Sequence, residues 1–171
     1  MAGDAQVNLV ISATALDAAK ELHRRFQTPY VAGIPLRRGF DALKIALEQA
    51  IKTGENQFPC TIRPNGGAEV TLIGEPVTMG SIGAAIGAAH GTRVRVLCPV
   101  EADPMLLAPE DRMLRSEEEL EEALRGAEIV VADPMYRSIC PETVRFFALP
   151  HQALSGRSGW NAMRNLITLE I

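Results

Sequence analysis

Short apolar runs recur along this chain, most of them closed by glycine, proline or aspartate and most followed by a stretch with helical character. Val7–Ser12, Thr28–Pro35, Ala68–Ile73, Arg93–Val100, Ile129–Ala132 and Phe146–Leu149 are such runs. They are short, apolar and rich in β-branched residues, as buried strands are. Between the first two, Leu16, Ala19, Leu22 and Phe26 repeat at helical spacing, with Lys20, Glu21, Arg24 and Arg25 mostly off that face. This predicts a helix over Thr14–Phe26 and a strand–helix–strand unit. Further helices are expected over Arg38–Lys52, over Thr78–His90, around Pro141–Arg145 and from about Trp160 onward. Ser116 and Glu119 fit a capping box for a helix that runs to Arg125 and stops at Gly126. Glu101–Arg115, with Pro104 and Pro109, reads as irregular. Strands alternating with helices predict an α/β fold, with Rossmann-like or flavodoxin-like parallel sheets and helices on both faces, and about four strands in the second half.

A length of 171 residues suits one domain, or one domain and a piece of another. The pattern favours the second arrangement. Residues 1–54 read as the closing part of a Rossmann-like domain, because no strand follows the helix over Arg38–Lys52. Residues 55–67 read as a linker, from the closely spaced Pro59, Pro64, Gly66 and Gly67. Residues 68–171 read as a second Rossmann-like domain with a terminal helix. A net charge of −4 leaves no basic footprint for nucleic acid. No apolar run reaches the length of a membrane span. Met1-Ala2-Gly3-Asp4 lacks the basic and apolar regions of a signal peptide, so the expected compartment is the cytoplasm.

In open α/β sheets ligands bind outside the carboxyl ends of the strands. The residues at those ends are the candidates. Gly74-Glu75-Pro76 with Gly80 and Gly83 falls at a strand-to-helix turn, where a phosphate can meet a helix N-terminus. It is neither a dinucleotide fingerprint nor a P-loop, Pro76 removes one amide, and the glycines serve equally for packing. Asp133 ends a strand and is either a site carboxylate or a helix cap. His151, just past Leu149-Pro150, is either a metal ligand or acid/base, or a loop histidine bonded to the backbone. Ser155, Arg157 and Trp160 could hold an anion, a planar ligand, or only the chain terminus. Cys60, Cys98 and Cys140 are widely spaced, which suits buried free thiols better than a zinc site or a disulfide framework.

Three segments resemble the nitrogenase component 1 type oxidoreductases. One is Val7–Ser12 with Phe26-Gln27-Thr28-Pro29-Tyr30 and Gly33-Ile34-Pro35. The second is Glu69–Gly80. The third is Leu149-Pro150-His151 with Gly159-Trp160-Asn161-Ala162. The resemblance implies the C-terminal part of a subunit: the end of a middle domain and a complete last domain. It implies an iron–sulfur cluster or metallocofactor in the full complex, none held tightly by this chain alone. It also implies a homologous partner subunit in an oligomer and electrons from an ATP-dependent iron–sulfur reductase. His151 matches the family's cofactor-ligating histidine, and His151, Ser155, Arg157 and Asp133 would border the substrate or cofactor cavity. Gln27 stands where the family has glycine, Arg37-Arg38-Gly39 alters an expected turn, and Trp160 and Ala162 replace tyrosine and glycine. The family's cluster cysteines lie mostly in a domain this chain lacks, so the chain alone is not expected to reduce anything. Two other readings stay open: a stand-alone nucleotide-binding module and a non-catalytic assembly scaffold.

Overall fold

The computed structural model describes residues 2–64, 69–151, 155 and 163–168. In the first lobe β1 (Asn8–Val10) and β2 (Tyr30–Ala32) pair in parallel, with α1 (Leu16–Phe26) between them. A 3₁₀ turn, Ala13–Ala15, leads into α1, and Gln27 ends it in the left-handed conformation (φ 57°). α2 (Phe40–Thr53) follows and lays Leu43, Ala46 and Ala50 against Val31. Beyond it, Gln57 bridges to Val31 on the far side of β2, and Asn56 Oδ1 accepts from the Tyr30 N–H at 3.0 Å.

The second lobe is a five-stranded parallel sheet of β3 (Val70–Ile73), β4 (Val94–Cys98), β5 (Arg112–Met113), β6 (Ile129–Ala132) and β7 (Arg145–Ala148), in the order β5-β4-β3-β6-β7. The chain steps outward from β3 to β5, then returns to the other side of β3 for β6. Of the two related orders, this is the Rossmann one. The crossovers β3-to-β4 and β5-to-β6 run in opposite directions along the sheet, so α3 (Pro76–His90) and α4 (Glu117–Leu124) cover opposite faces. The period of two along the strands separates the two cores. Val70, Leu72, Val94 and Val96 pack with Met79, Ile82 and Ala85 of α3. Ile73, Leu97, Val130 and Ala132 pack with Leu120, Ala123 and Leu124 of α4. Arg95 falls on the α4 side, where it donates to the Ala123 carbonyl at 2.7 Å and to Thr71 Oγ1 at 3.0 Å.

The small residues of α3 are explained by what crosses the helix. A Cβ on Gly80 would stand 2.5 Å from the Cys60 carbonyl oxygen. One on Gly87 would stand 2.6 Å from Pro64 Cδ. The segment after α2 therefore lies directly on the helix, through a 3₁₀ turn at Pro59–Thr61. Its Arg63 pairs with Asp111, and both side chains are only 1% exposed. Asp111 also accepts from the Val96 N–H at 2.7 Å and the Ala108 N–H at 2.8 Å, which sets the loop entering β5.

Several local expectations change or fall outside the described residues. Glu101–Arg115 contains the edge strand β5, paired only through Leu97↔Arg112 and Cys98↔Met113, too short to show a period. The helical turn expected around Pro141–Arg145 lies earlier, as a 3₁₀ helix over Pro134–Ile139 that starts from an Asp133 cap. Pro141–Val144 is instead a turn closed by the Val144 N–H on the Pro141 carbonyl at 3.1 Å. The terminal helix expected from Trp160 falls mostly outside the described residues, and Leu166–Thr168 form a single 3₁₀ turn. Ser116 accepts from the Glu119 N–H at 3.2 Å as expected of a cap, but Glu119 reaches back to the Arg115 N–H at 2.7 Å rather than to that of Ser116.

Candidate functional site

The sheet order places its switch point between β3 and β6, so Gly74-Glu75 and Asp133 stand side by side at their carboxyl ends. The turn after β1 of the first lobe faces them. Between the lobes lies a crevice of about 710 Å³, walled by Ser12, Ala13 and Thr14 on one side and by Glu75, Asp103, Asp133 and His151 on the other. A second cavity of about 470 Å³ adjoins it and shares Ser12, Met79 and His151, continuing toward Leu149 and Arg164.

Gly74 makes the first turn. Its φ of +153° is one that L side chains rarely adopt, and an added Cβ would meet Met79 Cε at 2.8 Å. Glu75 is the N-cap of α3. Its carboxylate accepts from the Val77 N–H at 3.0 Å and the Thr78 N–H at 2.8 Å, while Pro76 occupies the N1 position, where a missing N–H costs nothing. The same carboxylate accepts from the Ala13 N–H of the first lobe at 2.6 Å. The positive end of α3 is thus filled by the protein's own anion.

Asp133 is 1% exposed. It accepts from the Met135 N–H at 3.0 Å, the His151 N–H at 2.9 Å and the Ser155 hydroxyl. Burial pushes its pKa up, but these donors, Ser155 foremost, outweigh burial and hold the carboxyl below its ordinary value. The Ser155 N–H returns a bond to the His151 carbonyl at 2.8 Å. Register explains the meeting. β6 and β7 pair Ala132 with Ala148, so the residues just past each strand end are neighbours. Three of the four candidates, Asp133, His151 and Ser155, therefore come together. Arg157, like Trp160, lies outside the described residues. Of the two roles weighed for Asp133 the structure shows the helix cap, and the same carboxylate also anchors the His151 backbone.

A third carboxylate completes the edge. Asp103, after β4, caps the Pro104–Leu106 turn through the Met105 N–H at 3.0 Å and pairs with Lys20 of α1. That ion pair, first, and the Met105 bond hold its carboxyl below the usual range. Neither Asp103 nor the capping role of Glu75 was singled out from the sequence. A usable signal was present: Glu75-Pro76, Asp103-Pro104 and Asp133-Pro134 each set an acid before a proline at a strand end, the pattern of an N-cap followed by N1 proline.

The donor set for a metal is thin. Among the described residues no three His, Cys, Asp or Glu side chains gather as a metal site. Cys60, Cys98 and Cys140 are all buried and free. Burial pushes the Cys60 thiol up to about 12, the opposite of a ready thiolate ligand. The described part of this chain does not by itself fit an iron–sulfur cluster. His151 is the one imidazole on the walls of the two joined cavities among the described residues. No helix among those residues is long and apolar enough to cross a membrane. Comparison with protein-family models, curated proteins and solved structures finds no match to this chain.

Proposed function

We propose that this chain is the C-terminal portion of a nitrogenase component 1 type oxidoreductase subunit, and that the crevice borders the cavity where a substrate or metallocofactor is reduced. In this reading electrons come from an ATP-dependent iron–sulfur reductase, and a homologous subunit completes the oligomer. The observation that supports it, beside the sequence resemblance, is the facing of a two-stranded parallel lobe and a five-stranded Rossmann-like lobe across one crevice with His151 on its wall. The chain would lend a single imidazole to a cofactor whose other ligands come from elsewhere. Ser155 and Asp133 position that imidazole's loop.

The first lobe supports a longer polypeptide. Among the described residues β1 pairs only with β2, and Leu9 and Ile11 beside that edge are 41% and 56% exposed. Parallel sheets normally have both faces covered and are seldom so small. The nucleotide-module reading is disfavoured, because Glu75 already fills the helix N-terminus where a phosphate would bind.

Two measurements test the proposal. An immunoblot of source lysate with an antibody to this chain should show a band well above 18.5 kDa. A band at that mass would sink the fragment reading. In the full assembly with its reductase, His151→Ala should lose substrate reduction and bound metal with the fold intact. The bond from His151 to Asp133 uses the backbone N–H, which the substitution keeps. Unchanged metal content and activity would remove the ligand role.

A further inference from the structure

We propose that the Ser12–Ala15 turn is a movable lip of the crevice and that Glu75 is the latch that holds it. The turn follows β1 directly, and Ser12, Ala13 and Thr14 line the cavity. No residue of its 3₁₀ stretch Ala13–Ala15 is fully buried, Ala13 and Ala15 resting only partly buried on the shared core, and Ser12 at its N-cap position makes no capping bond. Ser12 Oγ meets only Thr14 Oγ1, at 3.1 Å, within the turn itself. The bond that ties it to the second lobe is the Ala13 N–H on Glu75 Oε1 at 2.6 Å.

The other half of the latch is rigid. Glu75 is fixed by two amides of α3, a helix buried on every side through Gly83. The lobes themselves are joined independently of this bond. Val77 and Leu106 are buried together with Val10, Leu16 and Ala19, and Lys20 pairs with Asp103. Breaking the Ala13 bond therefore removes the turn's hydrogen bond to the second lobe, leaving only the partial packing of Ala13 and Ala15 to hold it, while the lobes stay docked. A ligand that offers Glu75 a donor in place of Ala13 unlatches the lip, which couples occupancy of the crevice to the width of its opening. This holds whatever the crevice binds, and so stands apart from the redox reading.

Ala13→Pro isolates the latch. It deletes the one donor while leaving Glu75 and its cap on α3 in place. Ser12 is already extended (φ −153°, ψ 147°), as a residue before proline must be, and Ala13 is the first position of its turn, which tolerates proline. Amide hydrogen exchange on the 171-residue chain is the readout. In Ala13→Pro the amides of Thr14–Leu16 should exchange at least about tenfold faster, with Val77 and Thr78 unchanged. Spin labels at Thr14→Cys on the lip and Glu101→Cys on the facing wall should show a broader and longer distance distribution, the native thiols being buried. Unchanged exchange together with an unchanged distance would overturn the proposal. Should Ala13→Pro fail to fold, Glu75→Ala and Glu75→Gln decide it. The latch requires Glu75→Ala to loosen Ala13–Leu16 more than Glu75→Gln, which keeps an acceptor. Equal protection in both overturns it.

Discussion

The ends of β3 and β6 are neighbours built to the same recipe, a carboxylate followed by proline, and they do different work. Glu75 caps a fifteen-residue α-helix, and Asp133 caps a six-residue 3₁₀ helix. Each then reaches a third segment. The longer Glu75 side chain curls over its helix and takes one N–H from the opposite lobe. The shorter, buried Asp133 takes an N–H and a hydroxyl from the loop beside it. The difference teaches that a strand-end carboxylate in this kind of fold is not by itself a ligand contact. Here both are spent on holding backbone, one across the crevice and one along its edge, and an incoming anion finds neither helix start open.

Asp133→Ala breaks the comparison hardest. It takes the carboxylate acceptor from two backbone N–H groups and a hydroxyl at a site that is 1% exposed, and should cost about 4 kcal/mol, since each buried donor that loses its acceptor costs about 1–3 kcal/mol. Urea unfolding should show a lower midpoint at unchanged slope. The depressed carboxyl also predicts a pH dependence. Its stabilisation is complete above the ordinary aspartate value of 3.8 and is lost as pH falls through the lower folded value. The alanine variant should lose that acid limb.

The β3 end should fail first through packing rather than through its cap. Gly80→Ala drives a methyl to 2.5 Å from the Cys60 carbonyl oxygen, a backbone atom that cannot swing aside. The expected loss is about 3 kcal/mol, larger than the helix propensity of about 1 kcal/mol that alanine returns. Glu75→Ala should cost less, about 1.5 kcal/mol, the worth of an N-cap. Calorimetry on both variants ranks them. If Glu75→Ala proves the worse, the cap and not the glycine contact organises this turn.

Much of the fold was legible because its signals are local. Strands such as Ile129–Ala132 are continuous apolar runs, and α1 shows its face in Leu16 and Ala19. β5 was not legible, since two residues carry no period and its place depends on Asp111 being held by Arg63, 48 positions away. The glycines of α3 left packing and phosphate binding both open, and only the Cys60 carbonyl above Gly80 shows what they serve. In the site, the meeting of Asp133 with the His151 loop follows from β6–β7 adjacency, which a sequence does not state. The inter-lobe bond of Glu75 to Ala13 spans 62 positions and has no sequence signature at all.

The smallest change sharpens the comparison most. Ser155→Ala removes one hydroxyl and leaves the His151 and Met135 N–H groups on Asp133, so stability should fall by only about 1 kcal/mol. The carboxyl is the better reporter. Burial alone would raise it, and Ser155 is the largest of the donors that bring it down. Without that hydroxyl the Asp133 titration, followed by carboxyl NMR, should move upward, and the acid limb of the stability curve should begin at higher pH. An unmoved titration would mean that the backbone donors suffice. Asp133 would then hold its loop as Glu75 holds its lip, through N–H groups alone, and Ser155 would be left to the crevice.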